Sequence, residues 1–400
     1  MKAVVFRGVG DIRLEDVAEP RIEAPTDAIV RLTATAICGT DLHFVRGTSG
    51  GMKAGTILGH EGVGVVEKLG GEVRNLREGD RVVIPSTIAC GVCSYCRAGY
   101  YAQCDHANPN GKRAGTAFYG GPESAGGFAG LQAEKARVPF AHINLVKLPD
   151  AIDDDEAILL SDILPTAYFG ADIANIHPGS TVAIFGCGPV GQLTIASAKL
   201  MGAGRVFAID HVESRLELAR SQGAEVIDFD REHPVETLLA LTHDIGVDRA
   251  IDAVGVDAEQ PHRGPAENED GVAETLRGEA EELMADGASK DFHAGDAPSQ
   301  ALRWAVDGLA KAGTLSIIGV YPPEDRFFPL GQALNKNLKV HMGNCNHRRY
   351  IPELIGLIRS GRIEPSKIVT QHGRLTSAVE AYKRFDAHED GWVKVVLEAA

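Results

Sequence analysis

The stretch Phe185-Gly186-Cys187-Gly188-Pro189-Val190-Gly191 constrains this chain more than any other. It spells G-x-G-x-x-G between an apolar run, Thr181 to Phe185, and a helical pattern, Val190 to Met201. A second apolar run, Arg205 to Asp210, ends on an acidic residue 19 positions beyond Gly191. In that context the glycines read as a dinucleotide fingerprint and not as an ordinary turn. Gly186 permits the tight turn, Gly188 lets the backbone approach a pyrophosphate, and Gly191 lets helix and strand pack closely. Pro189 and Val190 then open a helix whose N-terminus faces the phosphates. Asp210 is placed to bond ribose hydroxyls and to repel a 2′-phosphate, which favours NAD over NADP. His211 and Arg215 are the next residues to bear on that choice. Cys187, inside the turn, reads as a small buried hydrophobe.

The alternation continues on both sides of this unit. Glu213 to Gln222 is a helix, and Glu225 to Asp228, Arg249 to Val254, Thr314 to Val320 and Leu338 to Met342 are further strands. Strands alternating with helices predict a doubly wound parallel α/β sheet. Residues 1–155 differ, with short strands and glycine-rich turns such as Ala28 to Ala36, Gly62 to Leu69 and Asp80 to Ile84. Helices around 350–360 and 376–386 and a last strand, Val393 to Leu397, follow the sheet. The expected division is a mainly β domain from 1–160 and 344–400, and a Rossmann domain from 161–343.

One segment breaks the rhythm. Residues 256–300 hold twelve Asp or Glu against Arg263, Arg277 and Lys290, within a chain of net charge −15. Such a polar insertion is expected to be a solvated excursion with a short helix near 272–285, or a functional loop over the cofactor's adenosine side. The overall acidity argues against nucleic acid as a partner. No apolar run approaches a membrane span, and the start, MKAVVFRG, reads as a strand. With only seven cysteines, an odd number, the reducing cytoplasm is the expected compartment.

Four of those cysteines crowd into 15 residues as Cys90, Cys93, Cys96 and Cys104. Four soft sulfurs at C-x2-C-x2-C-x7-C suit one tetrahedral zinc held for structure. A ferredoxin-type cluster begins the same way, but its fourth cysteine follows after three residues and precedes proline. Here the interval is seven and Asp105 follows.

A second metal set is suggested by Cys38, in Ile37-Cys38-Gly39-Thr40-Asp41-Leu42-His43, and His60, in Leu58-Gly59-His60-Glu61. A lone Cys or His is usually packing. These two flank glycines at strand ends, and Asp162 stands where the pattern changes from β to α/β. Catalytic zinc needs three protein ligands and an open position, which Cys38, His60 and Asp162 would supply. Asp162 also precedes Ile163 and Leu164 as a helix cap would, and spacing alone does not bring the three together.

Taken together, these motifs resemble the zinc-dependent medium-chain alcohol dehydrogenases, closest to the glutathione-independent formaldehyde dehydrogenase and dismutase-like branch. The resemblance spans essentially the whole chain outside the interior of 256–300. It leans on the cysteine lobe, Gly59-His60-Glu61, the glycine fingerprint with Asp210, and Leu160-Ser161-Asp162-Ile163-Leu164-Pro165-Thr166. It implies a chaperonin-10-like catalytic domain beside the Rossmann domain, two Zn2+ per chain, NAD, and a homodimer or homotetramer. The implied reaction interconverts a small alcohol and its aldehyde or ketone, with zinc lowering the alcohol's pKa beside a ring that accepts hydride.

By that resemblance Cys38, His60 and Asp162 bind catalytic zinc, Glu61 sits behind it, and Asp41 fixes the His60 tautomer. Thr40 and His43 form a proton relay, Thr166 braces the nicotinamide, and Lys394 approaches the pyrophosphate. Phe44, Phe118 and Tyr119 are candidates for an apolar substrate wall. Rival readings are a polyol or secondary-alcohol dehydrogenase, a formaldehyde dehydrogenase or dismutase, a zinc-free quinone reductase, and a non-catalytic NAD-binding protein.

Overall fold

The structure is a computed structural model that describes residues 1–268, 272–283, 289, 291–323 and 325–399. Seven strands come first: β1 (Lys2–Gly8), β2 (Asp11–Asp16), β3 (Ala28–Ile37), β4 (Gly62–Leu69), β5 (Arg81–Ile84), β6 (Lys135–Val138) and β7 (Val146–Lys147). Next come β8 (Thr181–Phe185), β9 (Arg205–Asp210), β10 (Glu225–Asp228), β11 (Val247–Asp252), β12 (Leu309–Ile317) and β13 (Lys339–Met342). The chain closes with β14 (Val369–Arg374) and β15 (Lys394–Glu398).

Strands β8 to β13 form one parallel sheet in the order β10-β9-β8-β11-β12-β13. The near-continuous apolar runs of the inner strands β8 and β9 follow from burial on both faces. In β8, Ala183 and Phe185 enter one core with Trp304 and Leu238, while Val182 and Ile184 enter another with Ile195 and Leu216. The chain leaves β8 in one direction for β9 and β10 and returns on the other side at β11. Crevices for ligands open at such a reversal, beyond the carboxyl ends of the strands. Phe185 and Asp252, paired in register, mark that place.

The second sheet runs β14-β15-β3-β4-β5-β7, with β6 also on β3, and β1 and β2 form a separate antiparallel pair. It joins the two ends of the chain. β15 lies antiparallel to β3 with Val395 opposite Ile37, so the last strand passes beside Cys38.

The insertion after β11 is only partly the solvated excursion its composition suggests. Its helix, Val272–Leu283, is where the sequence places one, with 284 and 285 outside the described residues. Phe292, however, is buried among Val4, Phe6, Leu42, Tyr382 and Phe385 of the β-rich domain. Beside it, Arg46 Nε contacts Asp386 Oδ1 at 2.7 Å and Arg46 Nη1 contacts Asp257 Oδ2 at 2.6 Å, all three side chains being buried. His293 N donates to the other oxygen of Asp386 at 3.0 Å. One aromatic ring and one charge cluster therefore fasten the insertion down.

That cluster makes a stability prediction. Replacing Arg46 with methionine strands two buried carboxylates and is expected to cost about 3–5 kcal/mol at pH 7. Burial alone would push the Asp257 carboxyl up, but His43 and Arg46 outweigh it and hold it below the ordinary range. A carboxyl shifted downward contributes stability above its unfolded pKa, near about 4, and loses it as pH falls. Urea unfolding of Arg46→Met and the parent at pH 7 and about pH 3, below the unfolded pKa, should show the gap narrowing at the lower pH. A constant gap would mean that Arg46 acts through packing alone.

Candidate active site and metal centres

The cysteine lobe comes first because it is self-contained. Cys90 Sγ lies 4.0 Å from Cys96 Sγ, and Cys93 Sγ 3.9 Å from Cys104 Sγ. All four sulfurs lie within 4.8 Å of one another, and none is in a disulfide. A tetrahedron with zinc–sulfur bonds near 2.3 Å has edges of about 3.8 Å, so the spacing fits one zinc. Backbone N–H groups of Val92 and Cys93 point at Cys90 Sγ, and that of Cys96 at Cys93 Sγ. Burial would raise the Cys93 thiol, but N–H donors from Cys96 and Asp105 bring it down to about 7. Such donors prepare a thiolate for a metal. No lobe cysteine lines the cleft described next. Cys96→Ser is therefore expected to remove one zinc per chain and lower the melting temperature by about 5 °C or more, with the other metal retained. Unchanged metal content and melting temperature would refute a structural zinc here.

The second set is built by three separate segments. Cys38 follows β3 and precedes the helix Gly39–Arg46, and His60 stands just before β4. Asp162 occupies the break between the helices Asp154–Ser161 and Ile163–Ile173, with φ −142° and ψ −71°. It makes no side-chain cap for the second helix, so the capping role its sequence allows is not what it does. Asp162 Oδ2 lies 3.7 Å from Cys38 Sγ and 3.3 Å from His60 Nε2. The three, with Glu61, bring their ligand atoms within 4.8 Å of one another.

The surroundings orient each group. His60 Nδ1 faces Asp41 Oδ1 at 3.2 Å, which leaves Nε2 toward Asp162, and Cys38 N donates to Asp41 Oδ2 at 3.0 Å. Burial would depress His60, yet Asp41 and Asp162 raise its pKa well above the ordinary value. Burial likewise would raise Asp162, but His347 and His60 hold it well below the usual carboxylate range. Cys38, by contrast, is pushed up by burial. A thiol, an imidazole and a carboxylate, all buried and converging, form a donor set that fits zinc. Glu61 Oε1 takes Lys394 Nζ at 2.7 Å, while Glu61 Oε2 is buried without a partner.

Two residues with expected cofactor roles also have protein partners. Lys394 borders the cleft but is wholly buried, with Nζ bonded to Glu61 and, at 3.0 Å, to the carbonyl of Ile37. The β15–β3 pairing carries it there, and a buried ammonium beside a buried carboxylate has no better partner. Thr166, expected to brace a nicotinamide, donates to Asp162 Oδ1 at 3.2 Å, although it also lines the cleft.

His347 is the residue the sequence reading missed. Its Nε2 lies 2.6 Å from Asp162 Oδ1, and its Nδ1 lies 3.1 Å from Thr87 Oγ1. One oxygen of Asp162 is thus claimed by His347 and Thr166, and the other faces Cys38 and His60. The available signal was Cys345-Asn346-His347 directly after the last parallel strand, a cysteine and a histidine near the sheet's ligand edge. Removing the partner of a ligating carboxylate typically costs 10–100-fold in metal affinity. His347→Ala is expected to lose catalytic zinc about tenfold more readily to a chelator, while the lobe zinc stays. Equal retention of both metals would show His347 to be a packing residue.

A cleft of about 590 Å³ runs from this set to the glycine turn. Thr40, His43, Phe44 and Phe118 line it near the metal ligands, and the two rings stack at 6.4 Å between centroids. Tyr119 does not belong to the wall, being fully buried beneath it with its hydroxyl unpartnered. At the far end lie Gly186, Gly188, Pro189, Val190, Asp210 and Arg215. Gly186 has φ +88°, and a Cβ on Gly191 would stand 1.9 Å from the carbonyl of Gly186. A Cβ on Gly188 would meet nothing within 4 Å, so that position opens into the cleft as a pyrophosphate cradle requires. Asp210 is already engaged: Oδ2 accepts from Cys187 N at 2.7 Å, and Oδ1 from His211 N and Val212 N at 2.8 and 2.9 Å. It fixes the turn as well as facing the cleft. From the insertion, Glu259 Oε2 meets His211 Nε2 at 2.8 Å on the same side.

A dinucleotide cradle joined by one cleft to a Cys-His-Asp set, beside a four-cysteine lobe, defines a two-domain zinc dehydrogenase. Comparison with known proteins agrees. Residues 24–150 match the family description "Alcohol dehydrogenase GroES-like domain", and residues 189–261 match "Zinc-binding dehydrogenase". The zinc-type alcohol dehydrogenase-like protein AdhB of Bacillus subtilis is 36% identical, with 100% of both chains covered. A glutathione-independent formaldehyde dehydrogenase of Pseudomonas aeruginosa is 36% identical over 96% of this chain and 95% of its own. Among solved structures, alcohol dehydrogenase TADH from Thermus sp. ATN1 superposes with a TM-score of 0.83 at 35% identity, covering 100% of both chains. The chain belongs to the zinc-dependent medium-chain alcohol dehydrogenases, oxidoreductases of alcohols and aldehydes. Among the described residues no helix is long and apolar enough to cross a membrane.

Proposed function

We propose that the protein is an NAD-linked alcohol dehydrogenase with two zinc ions per chain, working as a homodimer or homotetramer on short alcohols and aldehydes. One observation carries this reading: Cys38, His60 and Asp162 meet at one end of a cleft whose other end is the open Gly188 turn. When bound, zinc supplies Lewis acidity toward the alcohol oxygen and NAD supplies the hydride acceptor.

The chain's own residues supply the rest. Cys38, His60 and Asp162 hold the catalytic zinc, and Cys90, Cys93, Cys96 and Cys104 hold the structural one. Lys394 neutralises Glu61, which stands behind the three ligands as a reserve oxygen donor to the zinc they would hold. Thr40 receives the alcohol proton and His43 passes it out of the cleft. Phe44 and Phe118 give the substrate end an apolar wall that excludes water. Gly186, Gly188, Pro189, Val190 and Gly191 receive the pyrophosphate at a helix N-terminus. Asp210, with His211 and Arg215, faces the adenosine ribose. Residues 1–160 and 344–400 act as the catalytic domain, and 161–343 as the cofactor domain.

The test is turnover of ethanol, 1-butanol, glycerol and benzyl alcohol with NAD or NADP, followed by absorbance of the reduced cofactor. NAD-dependent turnover that Asp162→Ala lowers at least about 10³-fold, with one zinc per chain left, is expected. Retention of both metals with near-parental activity would transfer the ligand role to Glu61. Asp210→Ser is expected to raise NADP use relative to NAD by about tenfold. An unchanged ratio would shift cofactor choice to His211 and Arg215.

A further inference from the structure

The Arg46 cluster does not balance its charge. Arg46 is one cation held between two buried carboxylates, Asp257 and Asp386. Asp257 is also 2.8 Å from His43 Nδ1, with both side chains about 6% exposed. His43 Nδ1 is thus the second group on Asp257 Oδ2, beside Arg46 Nη1. Among the described residues Asp257 Oδ1 has no partner, and the carboxylate's contacts are to Arg46 and His43. It comes from the insertion, five residues beyond the end of β11, and lines the cleft with Thr40 and His43.

We propose that Asp257 is a positioning residue of proton transfer, through which the insertion becomes part of the machinery. By accepting from Nδ1–H it fixes the His43 tautomer in which Nε2 is the basic nitrogen. No described protein group hydrogen-bonds Nε2, and it is there that the incoming proton arrives. The Nδ1 proton stays where it is, Asp257 stays ionised, and the resulting imidazolium sits against a carboxylate already in place. The proton then leaves Nε2 to solvent, which restores the neutral ring. Thr48 Oγ1, 3.3 Å from Nδ1, gives its own proton to the carbonyl of His43 and steadies the same ring. Asp386 has a different task, since it pairs with Arg46 and the backbone of His293 and makes no described contact with His43.

The proposal rests on the relay reading of His43, and a double-mutant cycle separates the two. The single-turnover rate of NAD reduction is measured with the fastest alcohol of the screen in the parent, His43→Gln, Asp257→Asn and the double variant. His43→Gln and Asp257→Asn are each expected to slow the step by about 5–30-fold, with the double variant no slower than His43→Gln. A role in domain packing alone would instead give independent losses that multiply. A parental rate in Asp257→Asn, or multiplied losses, would overturn the proposal while His43 kept its role. A parental rate in His43→Gln would overturn the relay itself. Asp257→Glu, which keeps an anion beside Arg46, runs through the same cycle if Asp257→Asn does not fold. It is expected to restore stability while leaving the step slowed, and full recovery of the rate with a cycle that stays additive would count against the proposal.

Discussion

A buried carboxylate survives in an apolar interior only when donors or a cation compensate it, and Asp162 shows both halves of that requirement. His347 and Thr166 bind one of its oxygens from the protein side. The other is turned to Cys38 and His60, and the imidazole compensates it from that side. The break between two helices that holds Asp162, the return of the chain after β13 that delivers His347, and the placing of Cys38 and His60 at the ends of β3 and β4 all serve this one charge. Without such fixing, this carboxylate would be free to turn both oxygens inward.

Charge compensation also explains how the domains are held around the cleft. β15 returns to pair with β3, and Lys394 thereby neutralises Glu61 directly behind the metal set. On the opposite flank Arg46 binds Asp257 of the insertion and Asp386 of the β-rich domain. Each pair ties segments far apart in sequence, and each borders the cleft. Residues that look like ordinary surface charges in the sequence are thus structural counter-ions.

Much of this was legible beforehand, and the reasons are physical. The inner strands β8 and β9 could be read because strands buried on both faces are apolar almost throughout, and the glycine turn because a Cβ at Gly191 would strike the carbonyl of Gly186 while one at Gly188 would project into the cleft. The cysteine lobe was legible because its ligands lie within one short segment. Cys38, His60 and Asp162 could be named, but their meeting depends on the fold and on no local pattern. The pairing of His347 with Asp162 depends on the fold in the same way, since 185 positions separate the two. The pairing of Lys394 with Glu61 was not legible, because nothing local distinguishes a lysine destined for burial. In the insertion, the acidic composition masked Phe292 and Asp257, two residues whose burial sets where the segment lies.

The central claim is that Asp162 stands in the metal set where a third sulfur or nitrogen would otherwise be needed. X-ray absorption at the zinc edge of the purified protein tests it most directly, because it counts sulfur neighbours near 2.3 Å without reference to activity. Two zinc ions per chain sharing five sulfurs, with oxygen and nitrogen scatterers near about 2.0 Å from the second ion, is the predicted result. A single zinc with four sulfurs and no light-atom ligands would contradict it, leaving Asp162 a buried carboxylate held by His347, Thr166 and His60.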